Sequence, residues 1–254
     1  MKVRILGCGT SSGVPRIGND WGNCDPAEPK NRRRRVSILV SDAGTNILVD
    51  TSPDLREQLL DARVKTLDAV IWTHEHADHA HGLDDLRQLF HNAGAPVPAY
   101  AGARCLRSLS GRFDYVFEGK WGYPPTVAAQ ILPDDLTIGG IAVRHTEQPH
   151  GNITSTGLIF AQDGKRIIYS TDFNDLTDEM ANLYEAADLW IVDALRARPH
   201  PTHNHLDRTL SYIERLRPKR AVLTHMDNSM DYDSLRRQLP PHIEPGYDGM
   251  EIAL

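Results

Sequence analysis

Seven short runs rich in β-branched residues, "KVRIL", "VSILV", "TNILVD", "LDAVIWT", "KRIIYSTD", "LWIVDA" and "KRAVLTH", recur along the chain. Each is bounded by turn or helix signals, and together they predict strands. Helical patterns lie between several of them, over residues 54–62, 81–92, 175–186 and 206–216. Strands alternating with helices define the class as α/β. Neither a low-complexity linker nor a sharp composition shift divides the 254 residues, so a single domain over 1–254 is expected. A chain of that length buries a substantial core.

Bulk properties exclude little but point one way. A net charge of -6 argues against a protein whose main task is coating nucleic acid, although a local basic patch stays open. Cys8, Cys24 and Cys105 are odd in number and widely spaced, which fits a reducing compartment better than a disulfide framework. No segment approaches a membrane span, and a cytoplasmic location is expected.

The stretch "WTHEHADHAHG" leaves the apolar strand that ends at Trp72, so His74, His76, Asp78 and His79 crowd a strand terminus. A lone histidine is usually packed or solvated. Three histidines and an aspartate so close together need a shared purpose, and metal binding supplies one. In an extended segment His74, His76 and Asp78 project to one side, while His79 turns away as a helix begins. One loop thus serves two metals. Other strand ends deliver Asp172, His225 and, just ahead of an apolar run, His150. In α/β folds ligands gather outside the carboxyl ends of strands. Imidazole suits zinc as well as iron or manganese, and carboxylates pull toward harder ions.

The hexapeptide His74-Glu75-His76-Ala77-Asp78-His79 resembles the H-x-H-x-D-H signature of the metallo-β-lactamase superfamily, with His150, Asp172 and His225 following in that family's order. The resemblance spans essentially the whole chain and implies a four-layer αββα sandwich with its site at one edge of two sheets. It also implies two divalent ions, Zn2+ or Mn2+: His74, His76 and His150 would hold one, Asp78, His79 and His225 the other, with Asp172 bridging. Asp50 in "ILVDTS" matches an aspartate that supports the ligand loop, where a carboxylate orients histidine. Glu75 and His81 are expected to face solvent or cap the helix.

Paired metals cleave phosphodiesters or thioesters by activating water. True β-lactamases of this fold place a cysteine at the second metal, and none of the three cysteines falls near a ligand position, so antibiotic hydrolysis is disfavoured. Expelling an alkoxide gains from a general acid, usually histidine. Within "HPTHNHLD", the segment "HNHLD", His203–Asp207, resembles the one carrying the catalytic histidine in the cyclic phosphodiesterases of phosphonate breakdown (PhnP), and more loosely the tRNA 3′-processing ribonucleases. That match gives His205 the proton-donating or phosphate-contacting role, with Asp207 as cap or orienting partner. His200 and His203 have no counterpart and are read as solvated.

The ends "GCGTSSGVP" and "GYDGMEIAL" resemble that group too. Taken alone, Gly7, Gly9 and Gly13 make a weak dinucleotide decoy, for the spacing lacks the fingerprint and no lysine follows. Close backbone approach near the metals, with Thr10, Ser11 or Ser12 offered to substrate, is another use. The chain departs from the group in having only Cys24 where a cysteine cluster often holds an accessory zinc, and Asn228 where another ligand is expected; no accessory zinc is predicted. In "NRRRR", Arg32, Arg33, Arg34 and Arg35 form the strongest charge run, read first as a solvated face and second as a phosphate or RNA contact. Residues 105–133, with Phe113, Tyr115, Phe117, Trp121 and Tyr123, are read as an irregular insertion over a site, or equally as aromatic packing or a homodimer contact.

The leading expectation is a binuclear metal-dependent phosphodiesterase acting on small cyclic or nucleotide-like substrates by metal-hydroxide attack, with Asp78 and His205 in the catalytic machinery and RNA a less favoured partner. Its rivals are a glyoxalase II-like thioesterase, an RNA-processing nuclease and a non-hydrolytic nucleotide-binding module.

Overall fold

The computed structural model describes residues 1–254. One sheet contains β1 (Lys2–Gly7), β2 (Ser37–Asp42), β3 (Thr45–Val49), β4 (Ala69–Trp72), β5 (Val97–Ala101) and β6 (Val127–Ile131). The other contains β7 (Leu136–Ile138), β8 (Ile141–His150), β9 (Ile153–Gln162), β10 (Lys165–Ser170), β11 (Leu189–Asp193), β12 (Ala221–Thr224) and β13 (Ile243–Pro245). The last strand, β14 (Glu251–Ala253), returns to pair with β1, so both sheets have seven strands in sequential order apart from that return.

Alternation along the first sheet explains its layering. Ile38, Val40, Ile47, Val49, Ala69 and Ile71 face a core shared with the second sheet, whereas Leu39, Leu48, Val70 and Trp72 face a separate apolar cluster. Because both faces are buried, these strands read as continuous apolar runs rather than as alternating ones. The outer cluster is completed by α1 (Leu55–Ala62), α3 (Leu86–Ala93) and α4 (Ala103–Arg112), which contribute Leu55, Leu59, Leu86, Leu89, Cys105 and Leu109. On the far side α6 (Asp178–Tyr184), α7 (Leu206–Leu216) and α8 (Tyr232–Gln238) place Met180, Tyr184, Ile213, Leu216 and Leu235 against the second sheet. The fold is therefore the expected four-layer αββα sandwich. Each fully buried large apolar side chain contributes roughly 1.5–3 kcal/mol.

Strands β3 to β6 run parallel, as do β10 to β13. Parallel neighbours present their carboxyl ends at a common edge, and there the chain brings polar side chains from both sheets together. The hairpin β8–β9 was not legible because β8 mixes exposed polar with buried residues; it ends on His150, and Gly151 turns it at φ 61°.

Two expectations change. Residues 105–133 are largely regular: they include most of α4, then α5 (Asp114–Phe117) and β6, an integral edge strand of the first sheet, and the longest stretch without regular structure is 118–126. The arginine run is no solvated face. Arg33 is 2 % exposed and donates to the carbonyls of Asp227 and Met230, Arg34 and Arg35 pair with Asp61 and Asp54, and Arg32 lies over Trp21. No helix is long and apolar enough to cross a membrane.

Candidate metal centre

The ligand loop begins where β4 ends at Trp72, whose indole N–H donates to Thr51 Oγ1 at 2.8 Å. The chain stays extended through His74 and His76 and then enters the short helix α2 (Ala77–Ala80). That early helix start is why Asp78 does not project with His74 and His76, as pure alternation would have it, but turns with His79 toward the second sheet.

Seven side chains converge. His74 Nε2 lies 3.0 Å from His76 Nδ1, and His74 Nε2 and His150 Nε2 lie 3.8 and 3.6 Å from Asp172 Oδ2. The other oxygen of the same carboxylate, Oδ1, lies 3.2 Å from His79 Nε2 and 3.4 Å from His225 Nε2. Asp78 Oδ2 is 3.6 Å from His79 Nε2 and 3.4 Å from His225 Nε2. Asp172 thus divides its two oxygens between two donor sets, one of His74, His76 and His150, the other of Asp78, His79 and His225, and each set with Asp172 or within itself could hold a metal ion.

The spacing itself fits metal coordination. Donors about 2.1 Å from a shared tetrahedral ion stand about 3.4 Å apart, closer to these separations than ordinary hydrogen bonds are. Among buried atoms lacking a hydrogen-bond partner is His79 Nε2, a nitrogen aimed into the cluster.

The surrounding groups orient the imidazoles. Asp50 is fully buried, accepts the backbone N–H of Thr73 at 2.7 Å, and faces His79 Nδ1 at 2.7 Å. His79 Nδ1 therefore carries the proton, which leaves Nε2 facing the cluster as an atom that could bind a metal ion. The same arrangement joins His150 Nδ1 to the carbonyl of Thr202 at 2.8 Å. Burial pushes the His74 and His150 imidazoles down, toward the neutral form that binds metals. Burial also opposes charge on Asp172, yet His225, His79 and His203 hold its carboxyl well below the usual range.

Asp50, Asp172 and His225 share a backbone peculiarity. Each sits just beyond a strand end in the left-handed region, at φ 63°, 53° and 59°. Such conformations are uncommon outside glycine and cluster at functional sites.

The polar loop of Pro199 to Asp207 does not behave as its sequence suggested. His205 is the residue preceding α7 and its side chain makes no hydrogen bond to the helix or to the cluster. His203 instead reaches the site: its Nε2 lies 3.7 Å from Asp172 Oδ2 and its Nδ1 3.1 Å from Asp193 Oδ2. Extended residues two apart share a side, but helix entry at Leu206 breaks that equivalence, and sequence spacing had no means of choosing between the two histidines. Burial opposes protonation of His203, but Asp172 and Asp193 prevail and push it up to about 9. His200 packs at 5.1 Å on His203 and touches no ligand atom.

The glycine loop serves close packing. A side chain at Gly7 would meet the Arg35 carbonyl, and the Thr10 N–H donates to the carbonyl of Met226, the neighbour of His225. Cys24 lies in none of the donor clusters; its Sγ meets the Arg33 guanidinium at 3.9 Å. Glu75 pairs with Arg104 at 2.9 Å rather than facing solvent alone.

A sandwich of this topology, with histidines and carboxylates gathered at its sheet edge, defines a metal-dependent hydrolase of the metallo-β-lactamase superfamily. The beta-lactamase superfamily domain model matches residues 45–226, and the chain belongs to that superfamily. It is 35 % identical to a solved diphosphatase of the PhnP family, with a TM-score of 0.90 and coverage of 99 % of this chain and 96 % of that one. Zinc-bound PqqB from Methylobacterium extorquens shares the fold at 20 % identity and a TM-score of 0.80, covering both chains entirely. Among curated proteins it is 34 % identical over its whole length to an octanoyltransferase of Porphyromonas gingivalis, spanning about half of that protein (52 %).

Proposed function

We propose that the chain is a binuclear metal-dependent phosphodiesterase acting on small cyclic or nucleotide-like esters, with His74, His76 and His150 at one ion, Asp78, His79 and His225 at the other, and Asp172 bridging. The observation that carries the reading is His203, a histidine held beside the donor sets with its protonated form favoured by two buried carboxylates. When bound, two divalent ions would polarise a phosphoryl oxygen and lower the pKa of an attacking water. The protein supplies the rest.

His203 holds a proton at Nε2, facing the site, because Asp193 accepts from Nδ1. An alkoxide leaving group takes that proton as its bond to phosphorus breaks, and Asp193 stabilises the imidazolium until then. The 35 %-identical relative is described as a diphosphatase, which also places diphosphate esters in the range of substrates to be tried. A thioesterase shares the same ligands but expels a thiolate, which gains little from a proton donor.

The test is turnover by purified protein loaded with zinc or manganese, on bis(p-nitrophenyl) phosphate, 2′,3′-cyclic nucleotides, diphosphate esters and a glutathione thioester. Cleavage of one of the phosphorus esters in preference to the thioester is expected. Thioester hydrolysis with no phosphorus ester cleaved would give the site to the glyoxalase II-like reading.

A further inference from the structure

The aromatic segment does not cover the metal ligands. It builds a cavity of its own, about 370 Å³, lined by Phe90, Tyr115, Trp121 and Tyr123 together with Arg87 and Lys120, and none of its lining residues belongs to either donor set. That volume lies in the range of small-molecule sites.

Three observations give the cavity a chemistry. Trp121 is 84 % exposed and Tyr123 62 % exposed, whereas Trp72 and Trp190 are fully buried, so these rings are not held for the core. Trp121 keeps that exposure at φ 54°, left-handed backbone that is an outlier for so bulky a residue, between Gly119 and Gly122, also at positive φ. Charge is the third. Arg87 lies 5.0 Å over the Tyr123 ring and pairs with no carboxylate, while Asp84, the acid in the lining, is engaged by the Tyr115 hydroxyl at 2.5 Å. Lys120 pairs with Asp114 at the rim. Aromatic faces with an unpaired guanidinium suit a flat heterocycle that carries an anionic group.

We propose that this cavity binds a nucleotide, its base stacked against Trp121 and Tyr123 and its phosphate drawn to Arg87. The site adjoins the metal loop without being part of it. Phe113, next to α5, packs edge-on against His81 at 5.3 Å, and Arg112 donates to the Glu75 carbonyl at 2.6 Å. The same helical segment therefore clamps the ligand loop and carries the cavity, and an occupant is either the outlying base of a substrate or a separate effector.

The probe is AMP, with adenosine beside it, titrated calorimetrically into the metal-loaded protein and into Arg87→Ala, Trp121→Ala and His76→Ala. Arg87 and Trp121 are exposed, and thermal melts check that each variant folds. Expected is AMP binding tighter than adenosine, weakened at least about tenfold by Arg87→Ala and by Trp121→Ala, and kept in His76→Ala. Competition by AMP against turnover assigns the occupant to substrate, and binding without competition to an effector; either supports the cavity as a nucleotide site. No AMP binding, equal binding by Arg87→Ala and Trp121→Ala, or loss confined to His76→Ala would overturn it. The outcome is read as binding and so stands apart from whether the protein cleaves phosphodiesters.

Discussion

His203 Nδ1 lies 3.1 Å from Asp193 Oδ2, and this pairing aims the opposite nitrogen at Asp172. Asp193 is itself fully buried at the end of β11, so the histidine is held by the rigid sheet rather than by its own loop. If His203 is the proton donor, His203→Ala should lower turnover of cyclic nucleotides by about a hundredfold or more. The loss should shrink with bis(p-nitrophenyl) phosphate, whose leaving group departs without a proton. His205→Ala should stay within a few-fold of the parent, and a reversed ranking in steady-state kinetics would return the role to His205.

The pH profile gives a second handle. Only protonated His203 donates, so activity should be present below its pKa and fall as pH rises through it. Asp172 and Asp193 raise that pKa against burial, to about 9 before any cation is added. Asp193→Asn removes one of the two raising charges, so the alkaline limb of kcat should move to lower pH. Bound cations act on parent and variant alike, and a limb that stays in place would separate Asp193 from the titrating group.

Metal removal should cost stability as well as activity. The cluster gathers Asp50, Asp78 and Asp172 around histidines in a largely buried space. Binding of ions to the folded state alone adds stability by mass action, so chelation should lower the melting temperature by roughly 5–10 °C for a chain of this size. Elemental analysis of the loaded protein should find two tightly held ions per chain, and Asp172→Ala should reduce that number. A third tightly held ion would overturn the expectation that no accessory metal is bound.

Arg33 links the chain's start to residues after β12. Its guanidinium donates to the carbonyls of Asp227 and Met230 while buried at 2 % exposure. Arg33→Met should destabilise by on the order of 3 kcal/mol, because two buried carbonyls lose their donor. Urea denaturation checks the figure, and salt should change it little since the contact is shielded from solvent ions.

Asp248 supplies a pH dependence of the fold away from the metals. It accepts the backbone N–H groups of Cys8 and Arg34, yet burial pushes its carboxyl up to about 7. A carboxyl whose folded pKa is raised contributes stability that is complete below the unfolded value near about 4 and is lost as pH climbs toward the folded one. The parent should therefore lose stability relative to Asp248→Asn between about pH 4 and pH 7. Parallel melting curves for the two proteins across that window would disprove it.

Much of the site was legible because its members lie at strand ends. The apolar runs leading to Asp50, Trp72, Asp172 and His225 announce strands, and a polar residue immediately after such a run falls at the sheet edge in any parallel arrangement. His150 was harder to place, since β8 mixes polar and apolar residues, and only its last position meets the cluster. What sequence spacing did not resolve depends on partners far along the chain. Arg33 is buried because carbonyls nearly two hundred residues away need a donor, and a run of four arginines carries no trace of them. The start of α7 at Leu206 was legible, but the choice between His203 and His205 depends on Asp193, buried at the end of β11, whose contact with His203 leaves no mark in the spacing of the loop. The edge strand β6 was hidden among aromatic residues that belong to its neighbouring cavity.

The left-handed backbone at Asp50, Asp172 and His225 carries an energetic consequence. A non-glycine residue there costs on the order of 1 kcal/mol, so the backbone conformation taken alone favours glycine at all three positions. The side chains offset that cost: the Asp50 carboxylate accepts the Thr73 N–H and faces His79 Nδ1, contacts that glycine cannot make. Glycine at any of the three would relax the backbone but empty a buried polar position, so each of these residues trades local strain for the contacts it makes at the sheet edge.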